Sequence, residues 1–164
     1  MENESKRTIL DLSLWVAGLL AGMWLMAHEA TAGGRLAAPP NATWKAECAT
    51  CHIAYPPQLL PAEAWRRMMA GLERHFGTDA SVEPALAAEI SAYLERHSAS
   101  GKRARGAIPQ SLRITETAWF LREHDEVAPA TWQRPAVKSA ANCAACHTAA
   151  EQGDFRERNI RIPR

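Results

Sequence analysis

Two copies of one five-residue pattern contain every cysteine of the 164-residue chain: Cys48-Ala-Thr-Cys51-His52 and Cys143-Ala-Ala-Cys146-His147. Residues i, i+3 and i+4 of a helix share one face. On such a face the two thiols can add to the vinyl groups of one haem, while the histidine lies beneath the iron. Cys-x-x-Cys-His is for this reason the attachment signature of c-type haem. The sequence therefore predicts two covalently bound haem c groups.

Other uses of four cysteines fit this pattern less well. Two disulfides, or one zinc ion held by four thiolates, would not require a histidine directly after each cysteine pair. A thioredoxin-like redox pair needs a strand-rich scaffold, and the chain has no strongly alternating strand pattern. Of these possibilities, only haem attachment uses all four cysteines and both of the histidines that follow them.

The first 32 residues indicate export. Lys6 and Arg7 precede a largely apolar run over 9–27, and an Ala-x-Ala cleavage pattern follows at Ala30-Thr31-Ala32. We interpret residues 1–32 as a signal peptide. The alternative is an uncleaved anchor, since the run approaches the roughly 20 residues that span a bilayer. The predicted location is the periplasm, with membrane contact only if the segment stays uncleaved.

The net charge of the exported chain is too small to predict nucleic-acid binding. Without residues 1–32 it has 17 basic and 14 acidic residues, a net charge of +3. Arginines of this kind are more often simply solvated than used for docking. Two groups of cations are nevertheless candidates for steering an acidic partner: Lys102, Arg103 and Arg105, and in the tail Arg156, Arg158, Arg161 and Arg164.

Helical signals recur along the chain, so we predict a mainly α fold. The first haem motif should lie on a short helix that ends near residue 54, before Pro56-Pro57. Proline and acidic residues at its start, and a glycine at its end, predict a second helix over 61–77. A third helix should cover 81–97, with Ser81 as its cap.

The second half of the chain predicts less regular structure. Residues 98–106 are small and basic, which is typical of a linker. Beyond them we predict a short helix over 115–124, coil over 125–138, and a second haem-bearing helix that Asn142 caps. We therefore predict three segments after the signal: a cytochrome c-like helical domain (41–99), a linker (100–111) and a smaller, less regular haem-bearing domain (112–164).

Each iron also needs a sixth ligand or an open site, and this choice separates an electron carrier from a ligand-binding or catalytic haem. In monohaem cytochromes c of the commonest fold, the distal ligand precedes the helix that packs across the haem. His75 occupies that position, and we predict that it ligates the iron opposite His52. Met68 and Met69 lie in mid-helix, where methionine usually fills a core gap.

Two histidines compete for the iron opposite His147. His124 follows Trp119 and Phe120 at the end of a short predicted helix, and His97 ends the third helix beside the linker. The expected role of His97 is that of a solvated histidine at a helix C-terminus, where it interacts favourably with the helix dipole. Spacing alone leaves both histidines open as ligands.

The residues around these histidines resemble the bacterial diheme cytochromes c known as DHC. The resemblance implies a two-domain, mainly helical protein with bis-histidine coordination of two low-potential haems. It pairs His52 with His75 and His147 with His124, and His97 lies outside its motifs. The matching stretches cover essentially the whole mature chain: 65–69, 75–81, 113–120, 123–126, 142–147, 151–155 and 160–163.

The resemblance also implies an electron carrier rather than an enzyme. Partners in the family are a small soluble haem protein or membrane cytochromes b. Two imidazole ligands hold iron low-spin and leave no position for a substrate, and they lower the reduction potential relative to histidine and methionine. The competing interpretation is a diheme enzyme or gas-binding haem protein, such as a peroxidase, with one open haem site.

Overall fold

A computed structural model describes residues 34–36, 38–106 and 108–164, so the predicted signal segment lies outside the described residues. Within these ranges the chain forms isolated β-bridges and no strand, which confirms the mainly α prediction. None of the described helices is long and apolar enough to cross a membrane. The described part contains four α-helices: α1 (Ala42–Cys48), α2 (Ala62–Met69), α3 (Pro84–Arg96) and α4 (Ala118–Glu123).

Short 3-10 turns connect and follow the α-helices, and most of them lie in the second half of the chain. Residues Arg35 to Arg164 form one compact unit. The division into domains at 41–99 and 112–164 stays a prediction. The turns are Pro57–Leu59, Leu72–Arg74, Ile114–Glu116, Pro129–Gln133, Cys143–Ala145, Ala150–Gln152 and Glu157–Asn159.

The hydrophobic core lies where α2 packs against α3, and α1 packs along α3 beside it. The indole of Trp65 donates a hydrogen bond to the Pro57 carbonyl at 2.7 Å, so its buried N–H is satisfied. Cys48, Met68 and Met69 pack against the edge of this core. The start of the first haem motif, at Cys48, therefore lies against the hydrophobic core. The core residues are Leu60, Ala64, Trp65, Ile90, Tyr93 and Leu94.

The predicted helix through the first haem motif is wrong beyond Cys48. The helix begins after Asn41, whose side chain accepts a hydrogen bond from the Trp44 N–H at 2.6 Å. It ends at Cys48, and the Thr50 hydroxyl donates to the Glu47 carbonyl at 3.4 Å. Such side-chain bonds compete with further helical bonds. Cys51 and His52 consequently lie in a bend after the helix.

The second haem motif forms one 3-10 turn, Cys143–Ala145, instead of the predicted helix. Asn142 does not cap it, because its side-chain amide donates to the Val137 carbonyl at 3.0 Å. The His147 N–H still donates to the Cys143 carbonyl at 2.8 Å. That single i to i+4 bond is enough to keep the cysteine and the histidine on one side of the chain.

Two further boundaries differ from prediction. The helix predicted over 61–77 divides into α2 and the turn Leu72–Arg74, because Gly71 interrupts it. α3 begins at Pro84 and is capped by Glu83, whose carboxylate accepts from two backbone N–H groups of the first turn. The predicted cap, Ser81, instead donates its backbone N–H to Asp79 at 2.9 Å.

The helix predicted over 115–124 begins later than expected, because Thr117 caps α4 by accepting from the Phe120 N–H at 3.1 Å. The segment before it is the 3-10 turn Ile114–Glu116. The predicted coil over 125–138 contains the 3-10 turn Pro129–Gln133. The second half is therefore irregular, as expected, but it contains more short 3-10 turns than its sequence indicates.

Candidate haem-binding sites

Site 1 consists of Cys48, Cys51, His52 and His75. The ring centroids of His52 and His75 lie 6.2 Å apart, and the ring planes form an angle of 35°. Metal–imidazole bonds of about 2.0–2.1 Å would hold two rings about 6.3 Å apart on opposite sides of one metal ion. The separation of these two rings is therefore the separation that one iron between them requires.

Site 2 consists of Cys143, Cys146, His147 and His124. The centroids of the two histidine rings lie 6.1 Å apart, again the spacing of one iron, with an angle of 77° between the planes. His97 instead contacts Tyr93 of its own helix, with ring centroids 5.0 Å apart. Among the described residues, the histidine brought opposite His147 is thus His124.

His52 is oriented by two neighbours in the bend that follows α1. Its Nδ1 lies 2.7 Å from the Ile53 carbonyl, which can only accept, so Nδ1 is the protonated nitrogen and Nε2 is left for a metal. Its ring stacks on Tyr55 with centroids 4.5 Å apart and an angle of 24°. The proximal position of site 1 is therefore held by a hydrogen bond and an aromatic contact.

His75 lies in the tight turn between Leu72–Arg74 and α3. Its carbonyl accepts from the Thr78 N–H at 3.0 Å, and the following Phe76 and Gly77 have positive φ angles of 51° and 95°. Burial, followed by the nearby His52, lowers the pKa of His75 and favours the neutral ring that binds metals. Its Nδ1 is buried and has no hydrogen-bond partner among the described residues.

His124 is held at the end of α4 on three sides. Its Nδ1 donates to the Phe120 carbonyl at 2.9 Å, and its ring stacks on the Phe120 ring with centroids 4.0 Å apart and an angle of 16°. The ring of Trp132 lies 6.0 Å away on another side. These contacts fix the ring and leave its Nε2 for a metal.

His147 contacts the Phe155 ring at a centroid distance of 5.1 Å. Burial lowers its pKa, and the neighbouring His124 lowers it further, so the neutral ring is favoured here too. Its Nδ1 is buried and lacks a hydrogen-bond partner in the described part of the chain. The His147 ring is therefore positioned by the neighbouring rings and by its backbone, whose N–H donates to the Cys143 carbonyl at 2.8 Å.

A cavity of about 520 Å³ opens at site 1, within the range of roughly 300–1,000 Å³ that is common for cofactor pockets. Cys48, Cys51, His52 and His75 line it together with apolar side chains, among them Met68 and Met69, and it extends to Ala141 and Cys143. A largely apolar cavity whose lining includes both cysteines of the first motif and two histidines fits a flat, hydrophobic cofactor such as haem.

The four cysteines are not paired in disulfides. Burial is the main cause that raises the pKa of both Cys48 and Cys143 to about 11. Neutral thiols in an apolar setting are poorly suited to thiolate chemistry or to a tetrathiolate metal site. They are well placed to form thioethers with a haem that fills the cavity.

Two motifs that attach haem, two histidine pairs at the spacing of one iron and a mainly α fold together define a c-type cytochrome with two haem sites. The model of the family described as dihaem cytochrome c, DHC, matches residues 44–155. The chain therefore belongs to the dihaem cytochrome c family and carries two covalently bound haem c groups, as its cysteine motifs predict.

Solved structures of similar proteins agree with this assignment. A diheme cytochrome c from Shewanella baltica OS155 is 44% identical, with a TM-score of 0.66, and the match covers 77% of this chain and 95% of that one. Diheme cytochrome c from Rhodobacter sphaeroides is 43% identical, with a TM-score of 0.63 and coverage of 70% and 96%. No curated protein sequence matches the chain.

Sequence reasoning missed the aromatic residues that hold the histidine rings. Tyr55 stacks on His52, Trp132 lies beside His124, and Phe155 contacts His147. Tyr55 follows the motif histidine by three positions and is a signal that could have been recognised. Trp132 and Phe155 carry no comparable local signal, because both reach their histidines through tertiary packing.

Proposed function

We propose that the chain is a periplasmic electron carrier in which each of the two haem irons is bound between two histidines. The observation that carries the proposal is the pair of centroid separations, 6.2 Å at site 1 and 6.1 Å at site 2. A haem enzyme needs one open or easily opened position on its iron. Here an imidazole lies on both sides of each site, which favours electron transfer over catalysis.

The proposed roles follow the two motifs. Cys48 and Cys51 attach the first haem, with His52 proximal and His75 distal. Cys143 and Cys146 attach the second haem, with His147 proximal and His124 distal. Bound haem supplies a one-electron redox couple that two imidazole ligands keep low-spin and at low potential.

The protein's part in electron transfer is to keep the ligands from moving when the oxidation state changes. The hydrogen bonds from His52 to the Ile53 carbonyl and from His124 to the Phe120 carbonyl orient one ring of each pair. Such outer contacts fix the ring and raise its basicity as a ligand.

Export and partners are part of the proposal. Proteins of the cytochrome c families are typically exported, which agrees with the signal predicted over 1–32. We propose redox proteins as partners, either a small soluble haem protein or a membrane cytochrome b. The mass of the exported holoprotein tests the first point: loss of residues 1–32 is expected, and retention of the complete chain would instead support an anchor.

The structure narrows the cationic residues that a partner could meet. Arg103 lies over the Trp119 ring at 5.2 Å, and Arg156 is paired with Asp154, so both are already engaged. Lys102, Arg105, Arg158, Arg161 and Arg164 are exposed, and Arg158 lies 3.9 Å from Asp154. Steering of an acidic partner would therefore depend mainly on these exposed residues and would weaken as salt is added.

Absorption and electron paramagnetic resonance spectra of the ferric holoprotein test the coordination. Both haems should be low-spin, and a substantial high-spin signal would refute the bis-histidine proposal in favour of an open haem site. Replacement of His124 by Ala should leave the second haem high-spin or bound by a substitute ligand. The matched variant His97→Ala should leave both haems low-spin, and the reverse pattern would assign the second iron to His97.

A further inference from the structure

The two histidine pairs are secured in opposite ways. At site 1 the ring that donates Nδ1 to a backbone carbonyl is the proximal His52, at 2.7 Å from Ile53. At site 2 it is the distal His124, at 2.9 Å from Phe120. The buried Nδ1 atoms of His75 and His147 have no hydrogen-bond partner among the described residues. Each site thus has one anchored and one unanchored histidine, but on opposite sides.

The missing Nδ1 hydrogen bond matters more for His75 than for His147, because only a distal histidine can leave an attached haem. His147 directly follows Cys146, so a thioether would keep it beside the iron even without an Nδ1 bond. His75 has neither a neighbouring attachment point nor an Nδ1 bond. Losing an outer-shell hydrogen bond typically costs about 10–100-fold in the affinity of a histidine for its metal.

Aromatic packing also holds the distal ring of site 2 more firmly than the distal ring of site 1. His124 is stacked on Phe120 at 4.0 Å, with Trp132 at 6.0 Å on another side. Apart from the facing His52, the ring beside His75 is that of Phe76, which meets it edge to face at 4.8 Å and is itself 43% exposed. The distal ligand of site 1 is therefore held less firmly than that of site 2.

The local backbone also differs between the two distal positions. His124 follows directly on α4 and bonds back to its last turn. His75 lies in a turn with two successive positive φ angles, at Phe76 and Gly77. Met68, Met69 and Leu72 line the same cavity as His75, and these apolar side chains favour an uncharged ligand over a charged one.

We propose that site 1 exchanges His75 for a small neutral ligand of ferrous iron, such as carbon monoxide or nitric oxide, while site 2 stays closed. The bond between His75 Nε2 and iron would break first, and the bond from iron to the ligand would then form at the vacated position, with no electron transferred to or from a third species. The inference rests on the proposed bis-histidine coordination and adds a ligand-binding position to the electron carrier.

The test uses the complete holoprotein with carbon monoxide as the probe. Ferric and ferrous spectra are first recorded without ligand, and the dithionite-reduced protein is then titrated with carbon monoxide. We expect low-spin spectra at the start and one molecule bound per chain at saturation. The binding rate should level off at high carbon monoxide concentration, because dissociation of His75 then limits it. Both measurements need no variant.

Two variants assign the site. His75→Ala should still bind one carbon monoxide per chain, but at least about 10-fold faster and with a rate that rises linearly with concentration. His124→Ala should bind two, because it opens site 2 as well. His97→Ala is the matched control and should behave as the unaltered protein.

The outcomes separate the two proposals. A high-spin signal before carbon monoxide is added would refute the bis-histidine coordination itself. Low-spin spectra with no carbon monoxide bound would leave the coordination intact and overturn only the exchange at His75. Exchange would also be overturned if His75→Ala raised the number bound to two while His124→Ala left it at one.

Discussion

The hydroxyl of Tyr55 donates a hydrogen bond to the carbonyl of Ala141 at 2.7 Å, across 86 positions of sequence. The same Tyr55 ring stacks on His52 of site 1, and Ala141 lies two residues before Cys143 of site 2. Burial is the main cause that raises the pKa of Tyr55 to about 12, so the hydroxyl remains a donor at neutral pH. One side chain thus connects the two haem-binding regions.

Replacing Tyr55 by Phe should lower the free energy of unfolding by about 1–3 kcal/mol, because the Ala141 carbonyl loses its partner in a partly buried position. Denaturant unfolding of the holoprotein measures the loss. The matched control is Tyr93→Phe, which removes a hydrogen bond of 3.0 Å to the Pro39 carbonyl away from site 2.

Electron exchange between the haems distinguishes these two variants. Only Tyr55→Phe should slow it, since of these two tyrosines it is Tyr55 that stacks on His52 and bonds to the segment before Cys143. Partial photoreduction followed by transient absorption measures the rate. Equal exchange rates in the two variants and the unaltered protein would show that the Tyr55 contact is structural only.

The angles between the histidine planes predict two different ferric spectra. The planes form 35° at site 1 and 77° at site 2. Nearly parallel axial imidazoles separate the iron d orbitals more strongly than nearly perpendicular ones. Electron paramagnetic resonance should therefore show a rhombic low-spin signal from site 1 and a signal with one large g value from site 2. Two identical signals would contradict the observed angles.

Two variants assign these signals to the sites. Tyr55→Leu removes the ring that stacks on His52, and the rhombic signal should shift or broaden while the large-g signal is unchanged. Phe120→Leu removes the ring stacked on His124 and should do the opposite. A change in the same signal for both variants would argue against the assignment of rings to sites.

The parts of the sites that could be predicted from sequence are those that depend on local spacing. The cysteine motifs predict the two haem groups, and the position of His75 before a helix predicts the ring that lies opposite His52. Spacing did not predict how each motif folds. Thr50 donates its hydroxyl to the Glu47 carbonyl, and the predicted helix stops at Cys48 instead of continuing through the motif.

What could not be predicted depends on tertiary contacts. His97 and His124 are both helix-end histidines, and spacing alone left both open as ligands, although the linker beside His97 favoured a solvated helix end for that residue. They differ because Trp132 and His147 pack near His124, whereas His97 contacts Tyr93 of its own helix. The resemblance to the diheme family pointed to His124 because the family's motifs include this histidine and do not include His97.

Gly153 should be essential for the contact between the start and the end of the described chain. Its φ is +68°, and a Cβ there would lie 2.6 Å from the Leu36 carbonyl oxygen, while the Leu36 N–H donates to Gly153 at 2.8 Å. Gly153→Ala should cost at least about 2 kcal/mol through backbone strain and steric overlap. Denaturant unfolding measures this loss.

Gly71→Ala is the control for this substitution. Gly71 has a negative φ, and the nearest atom to an added Cβ would be 3.7 Å away. Its stability should change by less than about 1 kcal/mol, in either direction. A loss at Gly153 no larger than that at Gly71 would show that the Leu36 segment yields to the added methyl group.

Asp154 predicts a pH-dependent stability next to site 2. It is buried, its Oδ1 accepts from the Arg156 backbone N–H at 3.2 Å and from Nε at 2.8 Å, and its Oδ2 pairs with the same guanidinium. Hydrogen bonding to Arg156 holds the pKa of Asp154 far below its usual value. Because the folded pKa is depressed, the carboxylate stabilises the fold fully above the unfolded value of about 3.9 and progressively less as the pH falls below it.

Asp154→Asn should therefore lower the thermal midpoint of the holoprotein at pH 7, and the difference from the unaltered protein should narrow as the pH falls from about 5 towards about 2. Thermal unfolding followed by circular dichroism at several pH values measures it. The control is Asp125→Asn at an exposed aspartate. The difference between its thermal midpoint and that of the unaltered protein should not change with pH over this range. If the difference in thermal midpoint for Asp154→Asn stayed constant across this range, the carboxylate charge would contribute nothing to stability. The variant would then act through packing alone.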